Sequence, residues 1–418
     1  MPKEERGKYL QRLAEGLAAR SAEIGEVISQ EVGMPLMWAN MIQAGLPVGN
    51  AANYVEILEN YEFEEEIGNS LVVKEPVGVV GAITPWNFPH QINLAKVGPA
   101  LAAGCAVVLK AAPATPWAAT WLGRLVAEQT DIPAGVLNVI TSQQNAIGEA
   151  LCTDHRVDLV SFTGSTATGR TVMAAAAGTL KKTFLELGGK SAYIVLDDAD
   201  AATAAIGVAF QIMAHAGQGC AITTRLLVPR ERHDEMVDQV IAMIGSIGWG
   251  DPTDPGNFMG PLISKTQQDR VLGYIATAVA EGATVATGGR IGQLTGDLAG
   301  GFFVEPTVLV GVHQDSTIAQ EEVFGPVLAV IPHDGDDDAV AIANNSAFGL
   351  SGAVVSADVE RARSVARRVR TGTIGVNGGI FYSPDVPFGG YKQSGIGREM
   401  GVAGFEEYLE IKSIAEGI

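Results

Sequence analysis

The sequence predicts an α/β fold built from two successive doubly wound units, and two observations support this prediction. Buried apolar strands alternate with helical segments from residue 77 to residue 162, and a second alternation runs from residue 192 to residue 331. Strands that alternate with helices form βαβ units and therefore a parallel sheet. A chain of 418 residues is also too long for one compact core. We place a domain boundary near residues 187–190.

The individual elements follow from apolar runs of strand length and from apolar residues at helical spacing. In the first alternation the pattern predicts strands at 77–83, 106–109, 136–140 and 159–162, and helices at 90–103, 117–129 and 145–151. In the second it predicts strands at 192–196, 225–228 and 326–331, and helices at 200–213, 231–246 and 266–280.

Both ends of the chain depart from this alternation. Residues 3–45 carry apolar side chains at helical spacing between charges, which predicts amphipathic helices. A glutamate-rich segment at 59–66 is followed by a strand at 71–74 that has no helix of its own. The tail at 405–414 has the alternating character of a strand. We expect it to pair with the strand near residue 70.

The composition is that of a soluble globular protein with an acidic surface. Hydrophobic residues make up 47% of the chain and charged residues 18%, and the net charge is −19. This charge argues against nucleic acid or an anionic membrane as a partner. The longest apolar run, residues 97–109, is too short to span a bilayer, and the charged first residues resemble no signal peptide. We expect a cytoplasmic protein without a membrane segment.

The chain contains three cysteines, and one of them is a candidate nucleophile. They are widely spaced and odd in number, which predicts neither a disulfide framework nor a metal site. Cys220 ends the glycine-flanked loop 216–220, whereas a lone cysteine is more often a small buried hydrophobe. A free thiol has a pKa of about 8.5, so a nucleophilic cysteine needs a base or an electropositive setting. Glu186 is the candidate base, and His215 is a weaker alternative.

The segment around Glu186 reads as the end of a buried strand followed by two glycines, Gly188 and Gly189. Glycines allow two backbones to approach closely. We therefore expect that no side chain crowds the space beside the carboxylate.

Further segments carry candidate binding groups, each with a simpler explanation. Residues 84–89 follow a strand and present the Asn87 amide, which could hold an oxyanion, although such a segment is usually only a turn. Residues 162–169 open a helix after a strand, where backbone N–H groups favour a phosphate. Lys110 ends a strand and could contact a ribose or phosphate, but a strand-end lysine is usually solvated. Residues 321–326 combine a carboxylate with an aromatic ring, and a helix end is the alternative.

Six segments in this order resemble the aldehyde dehydrogenase superfamily, and the resemblance covers almost the whole chain. They are residues 84–89, 162–169, 186–190, 217–220, 321–326 and 387–395. The resemblance implies an enzyme that oxidises an aldehyde to a carboxylic acid with a nicotinamide cofactor. It implies that Cys220 attacks the aldehyde, that Asn87 and the Cys220 backbone N–H hold the oxyanion, and that Glu186 activates the hydrolytic water. Lys96 resembles a family lysine that assists proton relay.

The same resemblance implies a set of cofactor-binding residues. Trp86 and Lys110 are expected near the adenosine half, together with the neighbouring loop residues Thr84 and Pro85. Near the pyrophosphate and the nicotinamide ribose we expect Gly164, Ser165, Gly169, Leu187, Glu322 and Phe324. In the family a glutamate after the lysine commonly binds the adenine ribose, and here Pro113 stands in its place. NAD is favoured, with NADP as the alternative, and no metal is implied.

For domain organisation, the resemblance implies a Rossmann-like dinucleotide-binding domain (1–58 and 77–187), N-terminally truncated relative to the family. It further implies a catalytic domain (188–390) and a small β excursion of oligomerisation strands (59–76 and 403–418). A homodimer or homotetramer is therefore expected. The residues that flank Cys220 predict an apolar substrate tunnel, with no basic residue placed for a carboxylated aldehyde.

Two alternatives remain at this point. A CoA-acylating enzyme of the same superfamily generally lacks the deacylating glutamate, and Glu186 is present here. A catalytically silent dinucleotide-binding or structural protein would follow if the truncated cofactor domain no longer held its ligand. Retention of Cys220, Glu186 and Asn87 favours catalysis over the silent alternative.

Overall fold

The computed structural model describes residues 1–417, and its first sixty residues are helical. Leucines of the first helix are fully buried, in agreement with the predicted amphipathic pattern. The fourth segment of this region is a π-helix, a rare form that is common at functional sites. The helical segments are Lys3–Ala19, Ser21–Val32, Leu36–Trp38, Ala39–Gly45 and Leu46–Asn60.

The first sheet has six strands, and all but one edge strand run parallel as predicted. Helices cross from strand to strand because each strand is a short apolar run followed by a longer amphipathic segment. From one edge to the other the strands are Gly395–Ile396, Lys182–Glu186, Leu159–Thr163, Val79–Ile83, Ala106–Lys110 and Leu137–Ile140. The associated helices are Pro89–Ala103, Pro116–Gln129, Asn145–Thr153 and Thr166–Ala176.

The second sheet has seven strands, of which all but one edge strand run parallel. In order they are Thr284–Thr287, Thr307–Val310, Val327–His333, Thr223–Pro229, Ser191–Val195, Gly352–Val355 and Gly375–Val376. Its helices are Ala201–Met213, His233–Ser246, Lys265–Ala280, Thr317–Gln320, Asp336–Asn344 and Val359–Arg368. The two sheets together confirm the α/β fold with two doubly wound units.

A small antiparallel sheet joins the two ends of the chain. Its strands are Glu64–Ile67, Ser70–Pro76 and Leu409–Ala415, so the tail pairs with the strand near residue 70 as expected. The tail strand is shorter than predicted, because Gly401–Glu406 forms a helix. Phe405 on that helix is fully buried against the N-terminal helices. Because the helix buries Phe405, residues 401–406 are helical rather than extended.

The chain passes from the first sheet to the second between Glu186 and Ser191. It returns late, when Gly395–Ile396 pairs with the last two residues of the strand that ends at Glu186. Residues of both sheets therefore surround this passage. No helix within residues 1–417 is long and apolar enough to cross a membrane.

Candidate active site

The loop that leads to Cys220 has a strained backbone. His215, Ala216 and Gly217 adopt successive positive φ values of 49°, 53° and 70°. Non-glycine residues rarely adopt this region, and such strain concentrates at functional sites. At Gly217 a side chain is also excluded by space, since a Cβ there would lie 2.1 Å from the carbonyl oxygen of Gly325.

Gln218 fixes this loop from within the protein core. Its side chain is fully buried, and its amide oxygen accepts a hydrogen bond of 2.9 Å from the backbone N–H of Ile263. Its amide nitrogen donates to the backbone carbonyls of His215 and Pro261, at 3.1 and 3.3 Å. The sequence placed Gln218 inside the motif but assigned it no role, because these partners are not local.

Asn87 is brought directly to the same loop. Its side-chain Nδ2 donates a hydrogen bond of 3.0 Å to the backbone carbonyl of Gln218, two residues before Cys220. A primary amide carries two N–H donors. One of them anchors Asn87 to the nucleophile loop, and the other is available to a ligand.

Cys220 is half-buried and packs against an apolar cluster of Leu350, Phe388 and Met400. Burial raises the pKa of its thiol, and the negative charges of Glu186, Glu322 and Glu399 raise it further. A neutral thiol is therefore the resting form. The candidate base and the candidate nucleophile are close enough to influence each other electrostatically.

Glu186 is buried at the end of its strand, and neither carboxylate oxygen has a hydrogen-bond partner within residues 1–417. Burial raises the pKa of this carboxyl well above its ordinary value, and the charge of Glu399 adds to the effect. The space beside the carboxylate is provided by a different glycine from those expected. A Cβ at Gly389 would lie 2.8 Å from Glu186 Oε1.

The two glycines that follow Glu186 instead allow the backbone to lie close to other groups. A Cβ at Gly189 would lie 2.4 Å from the carbonyl oxygen of Cys220, and one at Gly188 would lie 2.6 Å from the Glu322 carboxylate. Ser394 holds this segment, since its hydroxyl donates to the Gly188 carbonyl at 2.7 Å. The expected close approach is thus met, and the atoms nearest to a Cβ at either glycine belong to Cys220 and Glu322.

Lys96 is fully buried on the helix Pro89–Ala103 and forms an ion pair with Glu399. Its Nζ lies 2.9 Å from the Glu399 carboxylate and 3.0 Å from the Ser161 hydroxyl, to which it donates. The charge of Lys96 lowers the pKa of Glu186, opposing the effect of Glu399. Glu399 was missed by sequence reasoning because it lies just beyond the segment 387–395.

The expected cofactor loops follow the carboxyl ends of three neighbouring strands of the first sheet. In the register of the sheet, Ile83 lies opposite both Lys110 and Phe162, so the loops after these three strands are neighbours. The backbone N–H of Thr84 donates to the Lys110 carbonyl at 3.2 Å, and Pro85 beside it is half-buried. Lys110 is itself buried, which lowers its pKa. A solvated strand-end lysine is therefore excluded.

The segment 162–169, which is expected near a phosphate, contains the start of a helix and two glycines that leave the backbone without side chains. The Ser165 hydroxyl caps the helix Thr166–Ala176 by accepting a 3.2 Å hydrogen bond from its third residue. A Cβ at Gly164 would lie 2.5 Å from a neighbouring phenylalanine ring, and one at Gly169 would lie 2.5 Å from Leu187. Leu187 thus packs directly beneath this segment. Free N–H groups and the helix dipole at such a position favour an anion.

A loop of the second sheet faces these cofactor loops. Glu322 accepts a hydrogen bond of 3.0 Å from the backbone N–H of Gly189, and burial raises the pKa of its carboxyl. Phe324 has a positive φ of 63° and packs edge-on against Trp86, with ring centroids 5.4 Å apart. The aromatic contact joins the two halves of the molecule across the site.

His215 does not form an alternative dyad with Cys220. Its ring is buried and packs edge-on against Phe88, and neither ring nitrogen has a hydrogen-bond partner within residues 1–417. Burial lowers the pKa of His215 to about 3, so the imidazole stays neutral. Among the two candidate bases, the geometry favours Glu186.

The fold and the site define an α/β protein with a cysteine and a buried carboxylate near each other where its two sheets meet, and comparison with known proteins identifies the family. The model of the aldehyde dehydrogenase family matches residues 1–414. The chain belongs to the aldehyde dehydrogenase family. Over 413 residues it is 43% identical to a 3-succinoylsemialdehyde-pyridine dehydrogenase from a Pseudomonas species, covering 99% of this chain and 86% of that protein.

Solved structures are similar over the same range. Aldehyde dehydrogenase C from Pseudomonas syringae, a mutant in complex with NAD+ and octanal, is 40% identical with a TM-score of 0.96. The match covers 99% of this chain and 85% of that one. A Mycobacterium tuberculosis aldehyde dehydrogenase in complex with NAD+ is 42% identical with a TM-score of 0.95, covering 100% and 86%.

The raised thiol pKa predicts an unusual pH dependence for alkylation of the free enzyme. We expect the rate of Cys220 modification by iodoacetamide to keep rising with pH beyond about 8.5, because only the thiolate reacts. Peptide mass spectrometry measures this rate, with the urea-unfolded chain as the reference. Cys105 and Cys152 are buried, and a Cys220→Ser variant gives their background. A rate that levels off below the pH at which the unfolded chain does would contradict the prediction.

Proposed function

We propose that this protein oxidises an aldehyde to a carboxylic acid with NAD+ as hydride acceptor, through a covalent intermediate on Cys220. The observation that carries this proposal is the convergence of Cys220, Asn87 and Glu186 where the two sheets meet. Its family membership supports the same chemistry, and so do relatives solved with NAD+, one of them also with octanal.

In the first step the Cys220 thiol gives its proton to the Glu186 carboxylate as the sulfur bonds to the aldehyde carbon, and the electron pair of the carbonyl π bond moves to the oxygen, which becomes an oxyanion. The unused N–H of the Asn87 amide and the backbone N–H of Cys220 are the donors that would stabilise it. Gln218 prepares this geometry, because it fixes the loop and provides the carbonyl on which Asn87 is anchored. The donors are thus preorganised rather than assembled during the reaction.

The residues at the carboxyl ends of the first sheet's strands have the chemistry to bind a dinucleotide. The bare backbone at Gly164 and Gly169 and the helix start at Ser165 suit a pyrophosphate. We assign the nicotinamide ribose to Glu322 and Phe324. The adenosine half and its supporting loop would be contacted by Thr84, Pro85, Trp86 and Lys110, and Leu187 would lie beneath the pyrophosphate segment. NAD+, when bound, supplies the hydride acceptor.

Hydrolysis of the Cys220 thioester requires an activated water. Glu186 is the proposed base, because its carboxylate has unused lone pairs and its raised pKa brings it nearer to neutral pH. Lys96 and Glu399 tune this carboxyl in opposite directions. We propose that their buried ion pair carries the proton away from Glu186.

Two alternatives are disfavoured. A CoA-acylating reaction would not need the base, and Glu186 is present. A catalytically silent protein is disfavoured because the family model matches residues 1–414, and because Cys220, Glu186 and Asn87 are all retained.

The proposal predicts that purified protein with octanal and NAD+, without CoA, forms reduced cofactor, which is followed by its absorbance. NADP+ should work less well, although Pro113 removes one usual reason for discrimination.

Cys220→Ala should abolish turnover while dinucleotide binding, measured by calorimetry, persists. Substantial turnover by that variant would remove Cys220 from its role, and a better rate with NADP+ would overturn the cofactor assignment.

Glu186→Gln should separate the two halves of the reaction. We expect a burst of about one reduced cofactor per active site, followed by a steady state slowed about a hundredfold or more, because acylation can still start from the Cys220 thiolate and hydrolysis lacks its base. Stopped-flow absorbance measures both phases. In the wild type, the hydrolytic step should accelerate as pH rises and Glu186 loses its proton. An unchanged steady-state rate in the variant would mean that another group deacylates.

We further propose that the small antiparallel sheet joins subunits into a homodimer or homotetramer. Within residues 1–417, its outer strand Leu409–Ala415 has one unpaired edge, and it exposes Ile411 and Ile414. An exposed apolar edge strand is a template for pairing with another chain. Ile411→Lys should shift the sedimentation coefficient toward a smaller species, with Val402→Lys on the adjacent helix as control. A monomeric wild type at micromolar concentration would refute the interface.

A further inference from the structure

Two polar side chains, Gln91 and Tyr382, contact each other, and Tyr382 lies near Cys220. Tyr382 and Cys220 pack against the same buried cluster, and the Tyr382 ring lies edge-on to Phe388 with centroids 4.9 Å apart. Burial and then the charge of Glu399 raise the pKa of the Tyr382 hydroxyl, and the charges of Cys220 and Glu186 raise it further. Tyr382 is therefore within reach of a molecule bound to Cys220.

Gln91 and Tyr382 leave two hydrogen-bond donors, the second amide N–H and the phenol O–H, and the amide oxygen unused within residues 1–417. Gln91 is almost fully buried, and its Nε2 donates to the Tyr382 hydroxyl at 3.4 Å. Its Oε1 has no partner within residues 1–417, and in the same range the Tyr382 hydroxyl donates to no acceptor. Rotating the amide by half a turn makes the Tyr382 hydroxyl the donor to the amide oxygen, and it leaves both amide N–H donors and the lone pairs of the phenol oxygen free.

The position of Gln91 is fixed by a second buried amide. The side-chain oxygen of Gln43 accepts from the backbone N–H groups of His90 and Gln91, at 3.1 and 3.0 Å. Gln43 lies on the π-helix Ala39–Gly45 and is fully buried. The first turn that carries Gln91 is therefore held in place, as a binding group requires.

We propose that Gln91 and Tyr382 form a polar subsite that selects aldehydes bearing a neutral hydroxyl group on the chain. A hydroxyl can donate to one member of the pair and accept from the other at once, whereas a ketone can only accept. A carboxylate is disfavoured, because the charged groups that act on Tyr382 include Glu186 and Glu399. This inference rests on the proposed function and names its substrate class.

The subsite modifies the apolar tunnel that the sequence predicts. A buried polar atom without a partner costs free energy, so in the free enzyme water would satisfy the pair. A substrate hydroxyl reproduces the hydrogen bonds of such a water when it displaces it. A plain alkyl chain displaces the water without replacing those bonds and therefore binds less well.

The first experiment compares ω-hydroxyaldehydes with unsubstituted aldehydes of equal chain length, using wild-type protein and NAD+. We expect kcat/KM to favour the hydroxylated aldehyde by about tenfold or more at the chain length that reaches the pair. Tyr382→Phe and Gln91→Met should each reduce this preference about tenfold while changing kcat/KM for the unsubstituted aldehyde much less.

The variants are designed to separate recognition from folding. Tyr193→Phe removes the hydroxyl of a buried tyrosine in the second sheet and serves as the matched control. The double variant should lose no more preference than the stronger single variant, since both residues bind the same group. Thermal unfolding of each variant checks that the fold is retained.

The outcomes distinguish this inference from the proposed function. If no aldehyde yields reduced cofactor, the proposed function fails and the subsite with it. If the wild type turns over unsubstituted aldehydes at least as well as hydroxylated ones at every length, the dehydrogenase stands and the subsite is refuted. A preference that survives in Tyr382→Phe and Gln91→Met would assign the hydroxyl to other residues and also overturn the inference.

Discussion

The site depends on the Glu186 carboxylate, which is buried where the two sheets meet and has no hydrogen-bond partner within residues 1–417. Glu186 ends a strand that is paired on both sides, so its backbone cannot move to relieve the burial. A buried carboxylate without hydrogen bonds is costly when ionised and much less so when protonated, which explains its raised pKa. The surrounding backbone is arranged for this group, since Gly389 leaves it space and Gly189 brings the Cys220 backbone close.

The nucleophile loop combines local strain with strong anchoring. Three successive left-handed residues are unfavourable by themselves, and the buried hydrogen bonds of Gln218 oppose their relaxation. The close contact of Gly217 with Gly325 ties this loop to the segment that carries Glu322 and Phe324. A displacement of the proposed cofactor loop would therefore act on the backbone that positions Cys220.

The sequence predicted the central elements well because each is marked locally. Long apolar runs and helical spacing identify core strands and helices, whereas short edge strands such as Thr284–Thr287 and Gly375–Val376 carry too few residues for a pattern. Cys220, Glu186 and Asn87 stood out because glycines or prolines flank them. Glu399 did not, because its pairing with Lys96 spans 303 positions and leaves no local mark.

The same burial raises the pKa of both Cys220 and Glu186, and each ion opposes formation of the other. Two interacting groups of this kind do not titrate independently, so the free enzyme resists carrying both charges at once. Formation of the carbon–sulfur bond removes this conflict, because the sulfur is then no longer a thiolate. In the proposed reaction, the Glu186 carboxylate would therefore be easier to form once the sulfur is bonded to carbon. This electrostatic coupling is consistent with the proposed order, in which Cys220 acts first as nucleophile and Glu186 acts second as hydrolytic base.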